Sequence, residues 1–265
     1  MKDAIAFLGT AGDAIVAGKQ LRASGGIVVV AENNQFHIDP GPGALVRCKQ
    51  FDLNPRETIA LLVSHSHLNH CSEANAVISA MTYNGMDKRG IFIAPQKVFD
   101  NGVGEFFQGC VERSVVLKED SKIGVNEVDI EPLPCKHFDT GCMGFRFTAP
   151  SFTMAYTSDT QYTKALAQAC SEADILIANC KYPAGMKMQG HMNAEEVAIL
   201  FSEAKPKLGI ITHFGIKALQ EDPINISRYI QKESDVQVMA AKDGMVMSPT
   251  TFASRVRQKK LQSYR

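Results

Sequence analysis

The sequence predicts an α/β fold in which two β-sheets are sandwiched between helices. Strand-like segments outnumber helical ones and alternate with them along the chain, without a linker that would divide the chain. The chain has 265 residues, of which 45% are hydrophobic, so it is long and apolar enough to bury a substantial core. We therefore expect residues 1–265 to form a single domain.

Twelve segments have the apolar, β-branched character of strands, and each is short enough to be a strand rather than a buried helix. Glycine, proline, asparagine or aspartate stands close to most of them, as expected where strands end in turns. These candidates are residues 4–8, 26–31, 35–39, 59–63, 91–94, 113–117, 127–133, 144–148, 152–157, 174–178, 208–212 and 236–240.

Four segments are predicted to be helices, namely residues 72–83, 161–171, 193–204 and 223–232. The third has the clearest signals, because its apolar residues recur at helical spacing. Asn193 can cap its first turn, and Glu196 stands three residues later, as in a capping box. The fourth begins with Asp222 as cap and Pro223 in the first turn.

Net charge, hydrophobic pattern and cysteine content argue against several classes of protein. The 28 basic and 28 acidic residues cancel, which argues against strong nonspecific attachment to nucleic acid. No stretch reaches the roughly 18 apolar residues of a membrane span, and the N-terminus lacks a signal-peptide pattern. The seven cysteines show no Cys-x-x-Cys pairing, so we expect free thiols and a cytoplasmic protein.

A cluster of histidines directly follows the predicted strand 59–63. Imidazole suits zinc and neighbouring transition metals, so three histidines so close together indicate a metal site. Alternation along an extended chain places His65 and His67 on one side, and the following turn can bring Asn69 and His70 to a second position. The cluster reads His65-Ser66-His67-Leu68-Asn69-His70.

Further potential ligands lie at or after the ends of other predicted strands. His137 follows strand 127–133, Asp159 follows strand 152–157, and His213 follows strand 208–212. A layered sheet fold can bring such strand ends together at one edge, where their side chains would complete the ligand set. His37 lies inside a predicted strand, and we interpret it as a structural residue.

The order of these motifs resembles the metallo-β-lactamase superfamily, whose pattern is His-x-His-x-Asp-His followed by a lone His, a lone Asp and a final His. Three other segments resemble its ribonuclease Z-like branch, and a fourth resembles the superfamily's early Asp-x-Gly turn. The branch-like segments are Phe7-Leu8-Gly9-Thr10-Ala11-Gly12, Tyr156-Thr157-Ser158-Asp159-Thr160 and Gly190-His191-Met192-Asn193, and the turn is Ile38-Asp39-Pro40-Gly41.

The resemblance implies an αββα sandwich and a role for each motif residue. One metal would be held by His65, His67 and His137, and a second would be faced by Asn69, His70 and His213, with Asp159 bridging the two. The cofactor would be one or two Zn²⁺ ions, with Mn²⁺ or Fe²⁺ as alternatives. A metal-bound hydroxide would be the nucleophile. His191 would act as a hydrogen-bond donor or general acid.

The first motif departs from the family pattern at one position. The family's aspartate is Asn69 here, which keeps the size of the side chain but loses its charge. An amide oxygen is a weak ligand, so the second metal should bind less tightly and proton transfer by this residue is in doubt. The alternatives are a mostly mononuclear enzyme or a relative without activity.

The resemblance favours a phosphodiesterase that acts on a small phosphodiester or a nucleic-acid end. The alternatives are a lactone, thioester, carbonyl-ester or β-lactam hydrolase of the same fold, and a non-catalytic metal-binding relative. Processing of transfer RNA is disfavoured, because His137 and Asp159 are too close in sequence for an inserted RNA-gripping arm. The sequence is compatible with a homodimer as well as with a monomer, and we expect no membrane partner. A basic C-terminal end is more simply explained as a solvated tail than as a phosphate site, and it contains Arg255, Arg257, Lys259, Lys260 and Arg265.

Overall fold

The first β-sheet has seven strands and contains the strand that precedes the histidine cluster. The protein is represented by a computed structural model that describes residues 2–253. The strand order is β15-β1-β2-β3-β4-β5-β6, and the strands from β3 to β6 run parallel. The strands are β1 (Ala4–Phe7), β2 (Ile27–Ala31), β3 (Asn34–Ile38), β4 (Thr58–Leu62), β5 (Ile91–Ala94), β6 (Arg113–Val116) and β15 (Val246–Met247).

The second sheet has the order β14-β13-β11-β10-β9-β8-β7, and a short strand, β12, pairs with the end of β11. Strands β10, β11, β13 and β14 run parallel, and β8 runs in the same direction because both it and β10 are antiparallel to β9. The strands are β7 (Ile123–Val125), β8 (Val128–Pro134), β9 (Met143–Thr148), β10 (Thr153–Tyr156), β11 (Ile175–Tyr182), β12 (Met192–Asn193), β13 (Leu208–Thr212) and β14 (Val238–Ala240).

Helices cover the outer faces of both sheets. Two short 3₁₀ turns, Pro55–Glu57 and Pro249–Thr251, complete the regular structure of the described residues. The helices are α1 (Ala14–Gly18), α2 (Ala44–Gln50), α3 (Leu68–Cys71), α4 (Ala74–Thr82), α5 (Gln96–Asn101), α6 (Glu105–Gln108), α7 (Lys164–Cys170), α8 (Ala194–Ala204), α9 (Ile216–Glu221) and α10 (Pro223–Ser234).

The core has three main layers, which follow from the alternation of side chains along the strands. In β4, Leu62 points between the sheets, whereas Leu61 packs under the helices of the first sheet. In the second sheet, Ile210 faces the inter-sheet core and Ile211 faces the outer helices. The architecture is therefore the predicted αββα sandwich, in which strands buried on both faces carry continuous apolar runs.

All twelve predicted strands and all four predicted helices are confirmed, with shifts of a few residues at their ends. The prediction missed strands of two or three residues and helices of four to seven residues, which are too short to show a period. It also ended β11 at residue 178, although the strand continues to Tyr182. The sequence Asn179-Cys180-Lys181-Tyr182 breaks the apolar run, so the extension has no compositional signal.

The predicted caps are also confirmed. The Asn193 side chain accepts from the Glu196 backbone N–H, and the Glu196 carboxylate accepts from the Asn193 N–H in return. The Asp222 carboxylate caps α10, which has proline in its first turn.

The seven cysteines are free, as expected. Within residues 2–253, no helix combines the length and the apolar character that a bilayer-crossing segment needs. The five basic residues of the C-terminal end lie outside the described range.

The strand ends that carry the site share an uncommon backbone conformation. Asp39, Ser158 and His213 follow β3, β10 and β13, and their φ angles are +53°, +55° and +62°. A positive φ is uncommon for residues other than glycine, and such residues cluster at functional sites. The chain therefore turns sharply at the end of each of these strands, and the polar side chains at these turns lie close together at the strand ends.

Candidate metal centre

The first group of potential ligands contains three histidines and Asp159. His67 Nδ1 lies 3.0 Å from His65 Nε2 and 3.2 Å from His137 Nε2. Asp159 Oδ2 lies 3.9 Å from His65 Nε2. One ligand atom from each of these four residues falls within 4.8 Å of the others. Three loops, after β4, β8 and β10, thus supply a compact set of nitrogen and oxygen donors.

The second group shares Asp159 with the first. His213 Nε2 lies 3.0 Å from Asp159 Oδ1, and His70 Nε2 lies 3.3 Å from Asp159 Oδ2. All three side chains are buried, and all three donor atoms again fall within 4.8 Å of one another. The two oxygens of Asp159 therefore serve both groups, as expected for a carboxylate that bridges two metals.

The arrangement of the histidine nitrogens in the two groups is suited to binding divalent metals. The Nε2 atoms of His70 and His213 are buried, and despite their closeness to Asp159 they have no partner with hydrogen-bond geometry. Imidazole nitrogens bound tetrahedrally to zinc at about 2.0–2.1 Å would stand about 3.3 Å apart, close to the separations found in the first group. In each group, the ligand atoms lie within 4.8 Å of one another, which is close enough for them to share one cation.

Outer hydrogen bonds fix how the histidine rings are turned. His70 Nδ1 lies 2.8 Å from Asp39 Oδ2, and His137 Nδ1 lies 2.6 Å from the Gly190 carbonyl oxygen. Each Nδ1–H donates to its oxygen, so the lone pair on Nε2 is left for a metal. Asp39 also accepts hydrogen bonds from Ser64 and from the Tyr156 hydroxyl, and these hold its carboxylate in place.

Most of the imidazoles are held in the neutral form that binds metals. Burial lowers the pKa of His65 well below its usual value, and the neighbouring His70 lowers it further. Burial also lowers the pKa of His67, and His137 adds to the effect. Burial lowers the pKa of His213 as well, against the opposing effect of Asp159. Because metal ligation requires a deprotonated nitrogen, these environments prepare the rings for a metal.

The carboxylates make the second group strongly attractive to a cation. Burial opposes ionisation of Asp159, but the His213 and His70 rings outweigh it and hold the pKa of Asp159 well below its usual range. Burial lowers the pKa of His70, but Asp159 and Asp39 outweigh it and raise the pKa to about 10. A metal at this position would therefore displace a proton from His70, which couples metal binding to pH.

Asp139 anchors the loop that carries His65 and His67. Its buried carboxylate accepts from the Ser66 backbone N–H at 3.1 Å and from the Ser66 hydroxyl at 2.6 Å. Lys97 Nζ lies 3.0 Å away. Burial opposes ionisation of Asp139, but the hydrogen bonds from Ser66 and Lys97 lower its pKa to about 2.

Replacing Asp139 with asparagine should destabilise the protein by about 1–3 kcal/mol, because buried hydrogen bonds to a charged group would be lost. The native pKa lies below that of an unfolded aspartate, so this contribution should be present above about pH 4 and should fade as the pH falls towards 2. Urea unfolding over this range would measure it. The control is Asp129→Asn, which breaks an exposed ion pair with Lys122 and should leave the stability almost unchanged, because water screens the pair. Equal losses in the two variants would contradict the role given to Asp139.

Asn69 lies beside the second ligand group. Together with His70 and His213, it lines a small polar cavity whose wall also includes Ser24 and Asn179. Asp159 is therefore the sole carboxylate in the two ligand groups of the described residues, and any ligand that Asn69 offers is uncharged. The expectation that the second metal binds more weakly stays a prediction.

A stepwise metal titration of the protein should show one tight event and one weaker event. Asn69→Asp should strengthen the weaker event by about 10–100-fold, because it adds a negative charge next to the cation. Calorimetry with Zn²⁺ on the chelator-stripped protein would measure both constants. Asn225→Asp, on α10, is a matched control that adds the same charge away from the site. Two equal events that do not respond to Asn69→Asp would refute this account.

His191 lies against the shared carboxylate, and Lys181 lies behind it. His191 Nδ1 is 3.6 Å from Asp159 Oδ2, and His191 Nε2 is 3.0 Å from Lys181 Nζ. Burial lowers the pKa of His191 to about 3; Asp159 opposes this, and Lys181 lowers the pKa further. This environment favours the neutral form of the ring, which has one N–H to donate.

The structure brings together every residue predicted from the sequence to form the site. His37 is buried and donates to the Gly25 carbonyl at 2.8 Å, which confirms its structural interpretation. The glycine-rich first turn packs against His213, and a side chain at Gly12 would come within 2.0 Å of the His213 carbonyl oxygen.

Three residues near the centre were not predicted as part of it. Asp39 orients His70, Asn179 donates to Asp159 Oδ1 at 2.7 Å, and Lys181 contacts His191. The Asp-x-Gly turn was a usable signal for Asp39. Asn179 and Lys181 lie in the extension of β11 and gave no signal of their own.

Comparisons with known proteins agree with this fold. A family model described as a β-lactamase superfamily domain matches residues 34–214. An uncharacterised protein of Methanocaldococcus jannaschii, MJ1374, is 29% identical over 92% of this chain and 94% of its own length. The probable metallo-hydrolase YhfI of Bacillus subtilis is 24% identical over 77% of this chain and 84% of its own.

Solved structures show the same architecture over nearly the whole chain. The YhfI crystal structure superposes with a TM-score of 0.77, at 19% identity, and covers 92% of this chain and 98% of YhfI. A diphosphatase of the PhnP family superposes with a TM-score of 0.70, at 15% identity, and covers 93% and 97% of the two chains. The family match extends from β3 to just beyond the last ligand, His213. The chain therefore belongs to the β-lactamase superfamily, and it has the fold of that superfamily's metal-dependent hydrolases.

Proposed function

We propose that the protein is a metal-dependent phosphodiesterase that cleaves a small phosphodiester or the end of a nucleic acid. The observation that carries the proposal is the pair of ligand groups joined by Asp159, with His191 beside them as a hydrogen-bond donor. Such a pair suits a reaction in which negative charge develops on a phosphoryl oxygen or on a leaving oxygen.

Each residue has a distinct role in this proposal. His65, His67 and His137 would hold one divalent metal, His70, His213 and Asn69 would face the other, and Asp159 would bridge them. When bound, the metals supply a water nucleophile of lowered pKa and polarise the bond under attack. Asp39, Ser64 and the Gly190 carbonyl keep the histidine rings turned towards the metals. Zinc fits the histidine-rich donors best, with manganese or iron as alternatives.

His191 would donate a hydrogen bond from Nδ1 to the reacting phosphoryl group. Lys181 Nζ donates to His191 Nε2, so the ring proton stands on Nδ1, on the side of Asp159. A neutral imidazole in this position stabilises developing negative charge without a proton transfer. Of the two roles predicted from the sequence, this favours the hydrogen-bond donor over the general acid, because burial and Lys181 lower the pKa of the ring.

Apolar side chains next to the ligands fit a hydrophobic ester group. Phe138 follows His137, is 58% exposed, and its ring centre lies 5.7 Å from that of His137. Leu68 follows His67 and is 74% exposed. An aromatic or nucleobase group on one side of a phosphodiester could rest on such side chains. The diphosphatase neighbour also supports phosphorus over carbon as the centre attacked.

The short connection between His137 and Asp159 supports a small substrate. Strands β9 and β10 occupy about half of the residues between the two ligands, and the rest form short connections without an inserted arm. We therefore favour hydrolysis of a small phosphodiester over processing of transfer RNA. A carbonyl hydrolase of the same fold is the second candidate, because the same centre can attack a carbonyl carbon.

A substrate screen of the metal-loaded protein tests the proposal. The panel contains bis-p-nitrophenyl phosphate, cyclic nucleotides, short RNA and DNA, a lactone, a thioester and a β-lactam. We expect turnover of a phosphodiester that disappears with a chelator and returns with added metal. Turnover of carbonyl substrates alone would favour the second candidate. No turnover with any metal, together with hydrolysis by Asn69→Asp, would favour a non-catalytic relative.

A further inference from the structure

Lys181 is a cation at the edge of the metal centre without an acidic partner. Its side chain extends from the end of β11, and its Nζ atom lies 3.0 Å from His191 Nε2 and 6.0 Å from the centre of the Tyr182 ring. Among residues 2–253, no carboxylate lies within 4.0 Å of this ammonium group. The carboxylate of nearby Asp13 instead accepts from the backbone N–H groups of Val16 and Ile216.

The position of the Lys181 ammonium group is unusual because the neighbouring ligand groups carry little negative charge. With asparagine at position 69, the two groups contain one carboxylate, Asp159, and their other members are histidines. Two divalent cations would thus be only partly neutralised, and Lys181 adds a further positive charge behind His191. An ammonium group there adds to the positive potential around the metals, and a bound anion would lower that repulsion.

We propose that Lys181 binds an anionic oxygen of the substrate and so makes the centre specific for phosphoryl groups over neutral carbonyl groups. The inference rests on the proposed phosphodiesterase function and adds to it a residue that selects the substrate. A lysine ammonium has three donors, so it can contact His191 and a phosphoryl oxygen at the same time. A neutral ester or lactone offers no formal negative charge for this contact.

The same contact admits a simpler role, in which Lys181 only holds the His191 ring in place. The two roles differ in what they predict for the binding of an anion. A positioning residue would alter turnover through His191, whereas an anion-binding residue sets the affinity for phosphate itself. Lys181→Arg keeps the positive charge, whereas Lys181→Met removes the charge and keeps most of the length of the side chain. The two variants therefore separate the effect of charge from the effect of shape.

The first measurement is the affinity of the metal-loaded protein for inorganic phosphate, by calorimetry. We expect Lys181→Met to weaken phosphate binding by about 10–100-fold, which is typical for loss of a hydrogen bond to a charged group. Lys181→Arg should retain most of the affinity. The control is Lys164→Met, which removes an exposed lysine at the start of α7 and should leave binding unchanged. Elemental analysis and thermal melting of each variant verify that metal content and folding are intact.

The second measurement compares a charged with a neutral substrate. Lys181→Met should raise KM for bis-p-nitrophenyl phosphate more than it lowers kcat, and it should leave KM for p-nitrophenyl acetate unchanged. Unchanged phosphate affinity in a fully metal-loaded Lys181→Met protein would overturn the inference, as would equal losses on both substrates or a native protein that binds no phosphate at millimolar concentration. Because phosphate binding needs no turnover, a protein that hydrolyses only neutral esters would refute the phosphodiesterase proposal and leave Lys181 to be judged by phosphate affinity.

Discussion

Replacing Asp159 with asparagine is expected to remove metal from both positions and to lower any hydrolytic activity by more than about 10³-fold. Asp159 is the one residue common to the two ligand groups, and its oxygens approach four histidines at 3.0–3.9 Å, namely His65, His70, His191 and His213. An amide has no charge to neutralise two cations, and its NH₂ group would point a donor at a metal or a histidine. The activity loss follows because the metals supply the nucleophile and polarise the bond, which together are worth several kcal/mol.

Elemental analysis after mild purification and after reloading measures the effect of Asp159→Asn. The native protein should retain one to two transition metals per chain. His37→Gln is a suitable control, because His37 is a buried histidine that contacts a backbone carbonyl rather than the metal groups. His67→Ala should also lower the metal content, mainly at the first position. A native protein that neither retains nor rebinds metal, or an Asp159→Asn protein with the full content, would show that these residues do not form a metal centre.

The histidine cluster and the strand ends made the ligand set predictable from the sequence. Three histidines within six residues carry a chemical signal that does not depend on the fold. His137, Asp159 and His213 were recognised by their positions after predicted strands and by the order of motifs. The structure explains why that order works, because β8, β10 and β13 run in one direction and end at one edge of the second sheet.

Contacts between distant segments explain most of what the sequence did not reveal. Asp39 is 31 residues from His70, and Asp139 is 73 residues from Ser66, so no local pattern links either pair. Lys181 was overlooked because the composition of β11 ends its apolar run four residues before the strand ends. The contact of Lys181 with the site depends on the loop that brings His191 back beside the Lys181 ammonium group. That loop has no periodic sequence pattern.

The charge at the centre connects Asn69 with Lys181. One residue removes a negative charge that the resembled pattern contains, and the other adds a positive charge beside the same metals. Both changes raise the electrostatic potential that a substrate meets, and a more positive potential favours a more highly charged anion. The two residues should therefore act in the same direction, and Asn69→Asp should weaken phosphate binding even while it strengthens the second metal.

Replacing His191 with alanine is expected to lower kcat for a phosphodiester by about 10²–10³-fold, the usual loss when one preorganised donor to a developing oxyanion is removed. His191 lies 3.6 Å from Asp159 through Nδ1, and its other nitrogen is held by Lys181, so the ring can turn little and its N–H stays aimed at the ligand groups. The ring is also buried, which strengthens a hydrogen bond to charge that develops beside it.

His191→Gln provides the matched comparison, because a glutamine amide can still donate a hydrogen bond from a similar place and should recover part of the lost rate. Steady-state kinetics on bis-p-nitrophenyl phosphate measures kcat and KM for each variant. Metal content must be measured in parallel, because His191 stands close to the bridging carboxylate and its loss could disturb the metals. A fall in kcat at full metal content, with little change in phosphate affinity, assigns His191 to the reaction and separates it from Lys181. If His191→Ala hydrolyses the diester as fast as the native protein, the donor role is wrong even if the enzyme is a phosphodiesterase.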